Sequence, residues 1–187
     1  MALTNKERVG RVLDAARAGA APFVIREYKM TYKSDWTLQV ERALTTPAFS
    51  LPDGATDSVQ NLEAALDTHS VLNLMLRNWF DVFHDKLGHT GRSYTSELLS
   101  ARNDWAHGKA FSNDEAYRVA DTARRLLEMV SAPEQTSIVG EIASELLRLR
   151  FDREAEQAKK VAETTKTEQT TTLAGLKPWR DVIQPHP

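Results

Sequence analysis

Glycine and proline are thinly spread through this chain, eight and seven in 187 residues, and the stretches between them are rich in Ala, Leu, Glu, Arg and Lys. Breakers so sparse leave long runs of strong helix formers. No segment shows the clear alternation of apolar and polar residues that marks a half-buried strand, so the expected class is all-α, a helical bundle. The length suits one substantial core with a short appendage.

Boundary signals divide the bundle. Thr4 with Glu7 has the form of a capping box, and Val9, Val12, Leu13 and Ala16 follow at helical spacing, which predicts a helix over about 5–18. Gly19 and Pro22 then interrupt it, and Phe23 to Tyr32 is expected as a kinked continuation or a separate helix. A short helix is read at about 36–44, followed by the loop TTPAFSLPDGATD. Val71, Leu72, Met75, Leu76, Trp79, Phe80 and Phe83 form a broad apolar stripe on a central helix over about 68–87. Gly88 and Gly91 close that helix, and the next opens near Ser93 and stops at Gly108. Ser112 with Glu115 caps a helix to about Val130. Ser131 with Glu134 has the same form, with Pro133 allowed in the first turn, and predicts a last helix reaching about Glu163. Ile138, Ile142, Leu146 and Leu149, with Phe151 after them, are its expected packing face, whereas FDREAEQAKKVAE is mostly charged. The division read from this pattern is a helical domain over 1–151, a projecting charged helix over 152–163, and a threonine-rich linker over 164–174. A flexible tail over 175–187, with apolar residues and three prolines, reads as the opening of a missing downstream region.

Composition excludes several chemistries. There is no cysteine, so disulfides, thiolate metal sites and a thiol nucleophile are ruled out. A net charge of -2 gives no global attraction to nucleic acid or anionic lipid, which leaves any such binding to a local patch. No signal peptide and no apolar run of membrane-spanning length is present, and the expected location is cytoplasmic. His84, His89, Asp81 and Asp85 make no set with sensible metal-ligand spacing, and neither metal nor cofactor is expected. No GxxxxGK loop is present, so ATP hydrolysis would have to lie elsewhere.

The segment ARNDWAH at 101–107 mixes residues suited to burial with donor-rich polar ones. On a helix Asn103 and His107 are four apart and share a face, and Arg102 lies about 100° from Asn103, within reach of the same edge. A histidine gives and takes protons near neutrality, and a guanidinium matches phosphate oxygens. The combination suits phosphodiester chemistry, above all on RNA, whose 2′-hydroxyl is a built-in nucleophile. A histidine just before a terminating glycine also serves simply as a favourable helix end, and spacing alone leaves both readings open. Trp105 and Ala106 are assigned to the core with Trp79, Phe80 and Phe83.

With its flanks, the segment resembles the motif of the HEPN superfamily (higher eukaryotes and prokaryotes nucleotide-binding). NWFDVF at 78–83, SELLSARNDWAH at 96–107, FSNDEAYRVADTARRLLEMV at 111–130 and ELLRLRF at 145–151 are similar to the branch named after a nuclear RNA-surveillance endoribonuclease. GLKPWRDVIQPHP at 175–187 resembles the segment that joins such a domain to a phage-defence ATPase. The resemblance implies an all-α HEPN-like bundle in which His107 is general acid or base, Arg102 clamps the phosphate and Asn103 orients phosphate or imidazole. It further implies a homodimer with facing motif helices and a composite site that cleaves RNA without metal, a downstream ATPase region, and other defence subunits as partners. The alternative is a non-catalytic nucleic-acid-binding or dimerisation module. Lys109 and Arg92 are candidate substrate-binding residues beside the motif, against a reading as solvated surface charges. Arg124, Arg125, Arg148, Arg150 and Arg153 line up as a basic strip, but Glu128, Glu145, Asp152 and Glu154 make ordinary ion pairing the preferred reading.

Overall fold

A computed structural model of the chain describes residues 3–46 and 50–174, with side chains to Glu163. The expected tail over 175–187 lies outside the described residues. Two units are distinguished, Met1–Leu147 and Arg148–Pro187. Among the described residues the helices are α1 (Asn5–Tyr32), α2 (Trp36–Leu44), α3 (Val59–Ala65), α4 (Thr68–Arg77), α5 (His84–Ala106), α6 (Asn113–Met129) and α7 (Pro133–Ala174), and no strand occurs.

Capping chemistry sets several of these ends. The Thr4 hydroxyl accepts from the Glu7 amide at 3.2 Å and the Glu7 carboxylate accepts from the Thr4 amide at 2.7 Å, as the sequence predicts. Ser112 and Glu115 repeat the arrangement at 3.2 and 2.9 Å. Of the two expected outcomes, continuation holds: α1 runs through Gly19 and Pro22 as one helix, although both were expected to interrupt it. Pro22 is exposed, as is Ala18, whose carbonyl loses its helical donor on the solvent side of α1, so the helix need not end. Gly19 is required for packing: a Cβ there would stand 2.3 Å from Leu127 Cδ2 and 2.9 Å from Ala132 Cβ. This close approach seats α1 against α6, and Val9, Val12, Ala16, Ala20, Leu126 and Leu127 share the resulting core.

The central helix also departs from its expected course. α4 ends at Arg77, and Trp79–Phe83 forms a π-helical turn in which the His84 amide donates to the Trp79 carbonyl. The wide turn shifts the side-chain register. Trp79, Val82 and Phe83 stay buried, but Phe80 is carried out to 71% exposure, which overturns its assignment to the core. Gly88, at φ 56° and ψ -170°, breaks the helical backbone as the sequence predicts, but helix resumes directly after it rather than near Ser93.

Buried polar groups tie the helices together. The Tyr28 hydroxyl donates to the Leu74 carbonyl at 3.0 Å, and burial pushes its pKa up. Glu27, only 2% exposed, takes Lys86 of α5 and Arg26 as partners. Buried Arg8 pairs with Glu145 at 2.6 Å.

Ser131 does not cap α7. It stands at φ 59° in the left-handed region and terminates α6: its amide donates to the Glu128 carbonyl and the Ala132 amide to the Leu127 carbonyl, the pattern of a Schellman motif. The buried face of α7 is Val139, Ala143 and Leu146, with Ile142 partly buried; Ile138 is exposed, so the stripe is rotated from the predicted one. In the second unit the helical backbone continues past Glu163 to Ala174, since no glycine or proline stands between Gly140 and Gly175. Side chains over 150–163 are exposed, Phe151 included.

Candidate active site

Residues 101–107 occupy the last two turns of α5. The helix closes as a Schellman motif: the Gly108 amide donates to the Trp105 carbonyl at 3.1 Å and the Lys109 amide to the Asp104 carbonyl at 3.0 Å. Gly108 takes φ 80°, the conformation that favours glycine there. His107 is the C-cap, at φ -81° and ψ 6°, and its amide donates to the Asn103 carbonyl. The imidazole is therefore held at the exposed end of α5. Among the described residues, nothing hydrogen-bonds the exposed side chains of Asn103 and His107.

Ala101 is buried, but Trp105 and Ala106 are not in the core as expected. Trp105 is 37% exposed and lies flat on α1: its Nε1 donates to the Lys6 carbonyl at 3.1 Å, and a Cβ on Gly10 would meet the indole at 3.1–3.3 Å. An indole needs a partner for its one donor, and the N-terminal turn of α1 supplies a carbonyl at the surface.

The structure brings Asn103 and His107 to one face but turns Arg102 toward α4. Its Nη2 lies 3.1 Å from Oδ2 of Asp67, and its side chain is 27% exposed. Asp67 is at the same time the N-cap of α4, accepting from the Ser70 amide at 2.8 Å. Burial works against the charge on Asp67, but the Ser70 hydrogen bonds and the Arg102 guanidinium outweigh it and hold the carboxyl below its ordinary range. A cleft beside this pair is lined by His69, Asn73, Arg77 and Thr46 among others. Partial burial and then the Arg102 charge push the pKa of His69 down. The Asn73 amide lies 3.0 Å from its Nε2, which assigns that nitrogen the acceptor role of a neutral ring.

These neighbours of Arg102 were not singled out from sequence. The signal was available: His69, Asn73 and Arg77 recur every four residues on α4, a polar edge beside the apolar stripe.

The candidate phosphate ligands differ. Lys109 Nζ is held by Asp104 at 2.9 Å and Glu115 at 3.3 Å, two carboxylates that push its pKa up and would compete with a phosphate. Arg92 makes no ion pair among the described residues; its guanidinium stands 5.6 Å from the centroid of the Phe80 ring. Arg124 and Arg125 are taken up by Asp121 and, for Arg124, Glu128. Among the described residues no group of three His, Asp or Glu side chains could hold a metal, and no helix is long and apolar enough to cross a membrane.

An all-helical bundle with Arg102, Asn103 and His107 in the closing turns of one long helix defines a class of small domain, and a family model settles which. The Swt1-like HEPN model matches residues 11–131, and the chain belongs to that family. Neither the curated proteins nor the solved structures give a match.

Proposed function

We propose that this domain is a metal-independent endoribonuclease that works as a homodimer with its α5 helices facing. The observation that carries the reading is the exposed face of α5. Arg92, Ser96, Ser100, Asn103 and His107 follow one another at spacings of three or four, all exposed, ending at a histidine and an asparagine with no partner of their own. Helices that cross at Asn103 and His107 would face one another there and leave the Arg92 end of each strip uncovered.

Two copies would then place two imidazoles at one phosphate. One removes the proton of the RNA 2′-hydroxyl, whose oxygen attacks phosphorus. The P–O5′ bond breaks, a 2′,3′-cyclic phosphate forms, and the second imidazole returns a proton to the departing oxygen. Arg102 supplies charge stabilisation to the crowded phosphorane. To reach it, Arg102 exchanges Asp67 for a phosphate, a stronger bidentate partner.

Purified protein incubated with RNA tests this. Expected are ends bearing 2′,3′-cyclic phosphate, no inhibition by EDTA, and at least about a hundredfold loss of cutting in His107→Ala and in Arg102→Ala. Robust cutting by both folded variants would sink the assignment. The same reading sets the domain at the head of a phage-defence ATPase with other defence subunits as partners, and the resemblance of residues 175–187 to the joining segment of such proteins supports it.

A second reading, a non-catalytic module that binds nucleic acid or dimerises, is favoured by one fact: the motif arginine, Arg102, and its neighbour Lys109 are both held by carboxylates. RNA binding that weakens steeply with salt, without turnover, supports it. Turnover with a bell-shaped pH profile supports the enzyme.

A further inference from the structure

At the opposite end of the same α5 face, beside the Gly88 kink, is a cluster that no catalytic role uses. Phe80 projects from the π-helical turn at 71% exposure. The Arg92 guanidinium lies 5.6 Å from its centroid, the His84 ring 5.7 Å away, and His89 meets His84 edge-on at 5.5 Å. Asp85 Oδ1 lies 3.1 Å from Nδ1 of His84 and orients that ring. Next to the cluster a groove of about 750 Å³ runs along α5, lined by His89, Arg92, Ser93, Ser96 and Ser100. The one acid in its lining, Glu97, is neutralised by Arg118 and accepts from Thr122.

We infer that Phe80, with Arg92, His84 and His89, is a stacking platform for a base of single-stranded RNA, whose backbone continues along the serine-lined groove to Asn103 and His107. The inference rests on the ribonuclease reading for the direction of the strand, not for the platform itself. The π-helical turn keeps Trp79 and Phe83 in the core and turns this one ring, Phe80, outward, and such turns are frequent at functional sites. Its surroundings select the partner. Arg92 and His84 flank the ring, His89 stands against His84, and the neighbouring Asp85 carboxylate is engaged by His84. An aromatic face flanked by Arg and His is what a base with its phosphate requires: the ring stacks, the guanidinium and imidazoles meet the phosphate oxygens. Only α5 joins platform and motif, and past Gly88 it has no further break, so about 22 Å of continuous helix separates Arg92 from His107. A strand of several nucleotides fits that track.

The probe is a fluorescent single-stranded 2′-O-methyl oligonucleotide, which lacks the nucleophile and cannot be cut. Anisotropy titrations of the whole chain are expected to show affinity falling about five- to 150-fold in Phe80→Ala and holding within about twofold in Phe80→Trp. Arg92→Gln is expected to lower the slope of log affinity against log salt by about one. Phe80→Ala should melt like the unsubstituted protein, because the ring is exposed. No binding by the unsubstituted chain, or unchanged affinity in Phe80→Ala, overturns the platform. So does a change of oligomeric state in Phe80→Ala with affinity intact, which makes the ring a contact between proteins. The two readings fail separately. Phe80-dependent binding without any cutting of ordinary RNA removes the ribonuclease and keeps the platform, whereas His107-dependent cutting that ignores Phe80 does the reverse.

Discussion

Arg102 of α5 and Asp67, the N-cap of α4, lie 3.1 Å apart, and the aspartate serves two helices with one carboxylate. One oxygen closes the first turn of α4 and the other holds the guanidinium that the motif would turn on a phosphate. The pair gives the motif arginine a partner that the proposed phosphate contact would require it to leave.

Asp67→Asn is expected to release that hold while keeping the cap, because asparagine caps a helix as well as aspartate. A half-exposed ion pair is worth up to about 1 kcal/mol, so at subsaturating RNA the gain in cutting should reach about fivefold and no more. Initial rates measured at low substrate check it; a fall in rate would show Asp67 positioning Arg102 rather than competing for it.

Stability should carry the same signature in acid. The carboxyl of Asp67 is held below its unfolded value of about 3.9. Its contribution is therefore present above that pH and is lost as pH falls through the folded value. Calorimetry at pH 7 and near pH 3 should find the unsubstituted protein more stable than Asp67→Asn by less than about 1 kcal/mol at the higher pH, with the gap closing at the lower. A gap that persists in acid excludes the charge as its source.

Ser131 offers a test of helix termination. As an N-cap, the sequence reading, Ser131→Gly would cost a few tenths of a kcal/mol and Ser131→Ala about 1 kcal/mol. As the left-handed terminator of α6, the observed role, Ser131→Gly should gain up to about 1 kcal/mol by removing the Cβ penalty at φ 59°. Denaturant midpoints of the two variants separate these outcomes.

Gly19→Ala should lower stability by about 1–3 kcal/mol, although alanine is the better helix former. The new methyl would meet Leu127 at 2.3 Å and Ala132 at 2.9 Å, so α1 and α6 must part or Leu127 must change rotamer. A melting temperature that rises instead would mean the contact yields freely.

Much of the fold was legible because its determinants are local. Scarce breakers, the Thr4 and Ser112 boxes and the Gly108 stop are read from neighbours within four residues, and each stands as expected. The errors share another cause. Pro22 passes through a helix because its side of α1 faces water, and Phe80 leaves the core because a π turn shifts the register. Neither fact exists until helices are packed. Ser131 matches a capping box letter for letter and still terminates the preceding helix.

For the candidate site the division is the same. The sequence by itself determined an all-α chain with Asn103 and His107 on one face at a helix end, because helical periodicity and a terminating glycine are properties of adjacent residues. Only the tertiary structure decided where Arg102 goes. Its long side chain reaches either edge of α5, and the carboxylate that claims it belongs to another helix, 35 residues away in the chain. Periodicity decides which face a residue occupies, but an ion pair depends on what packing sets opposite.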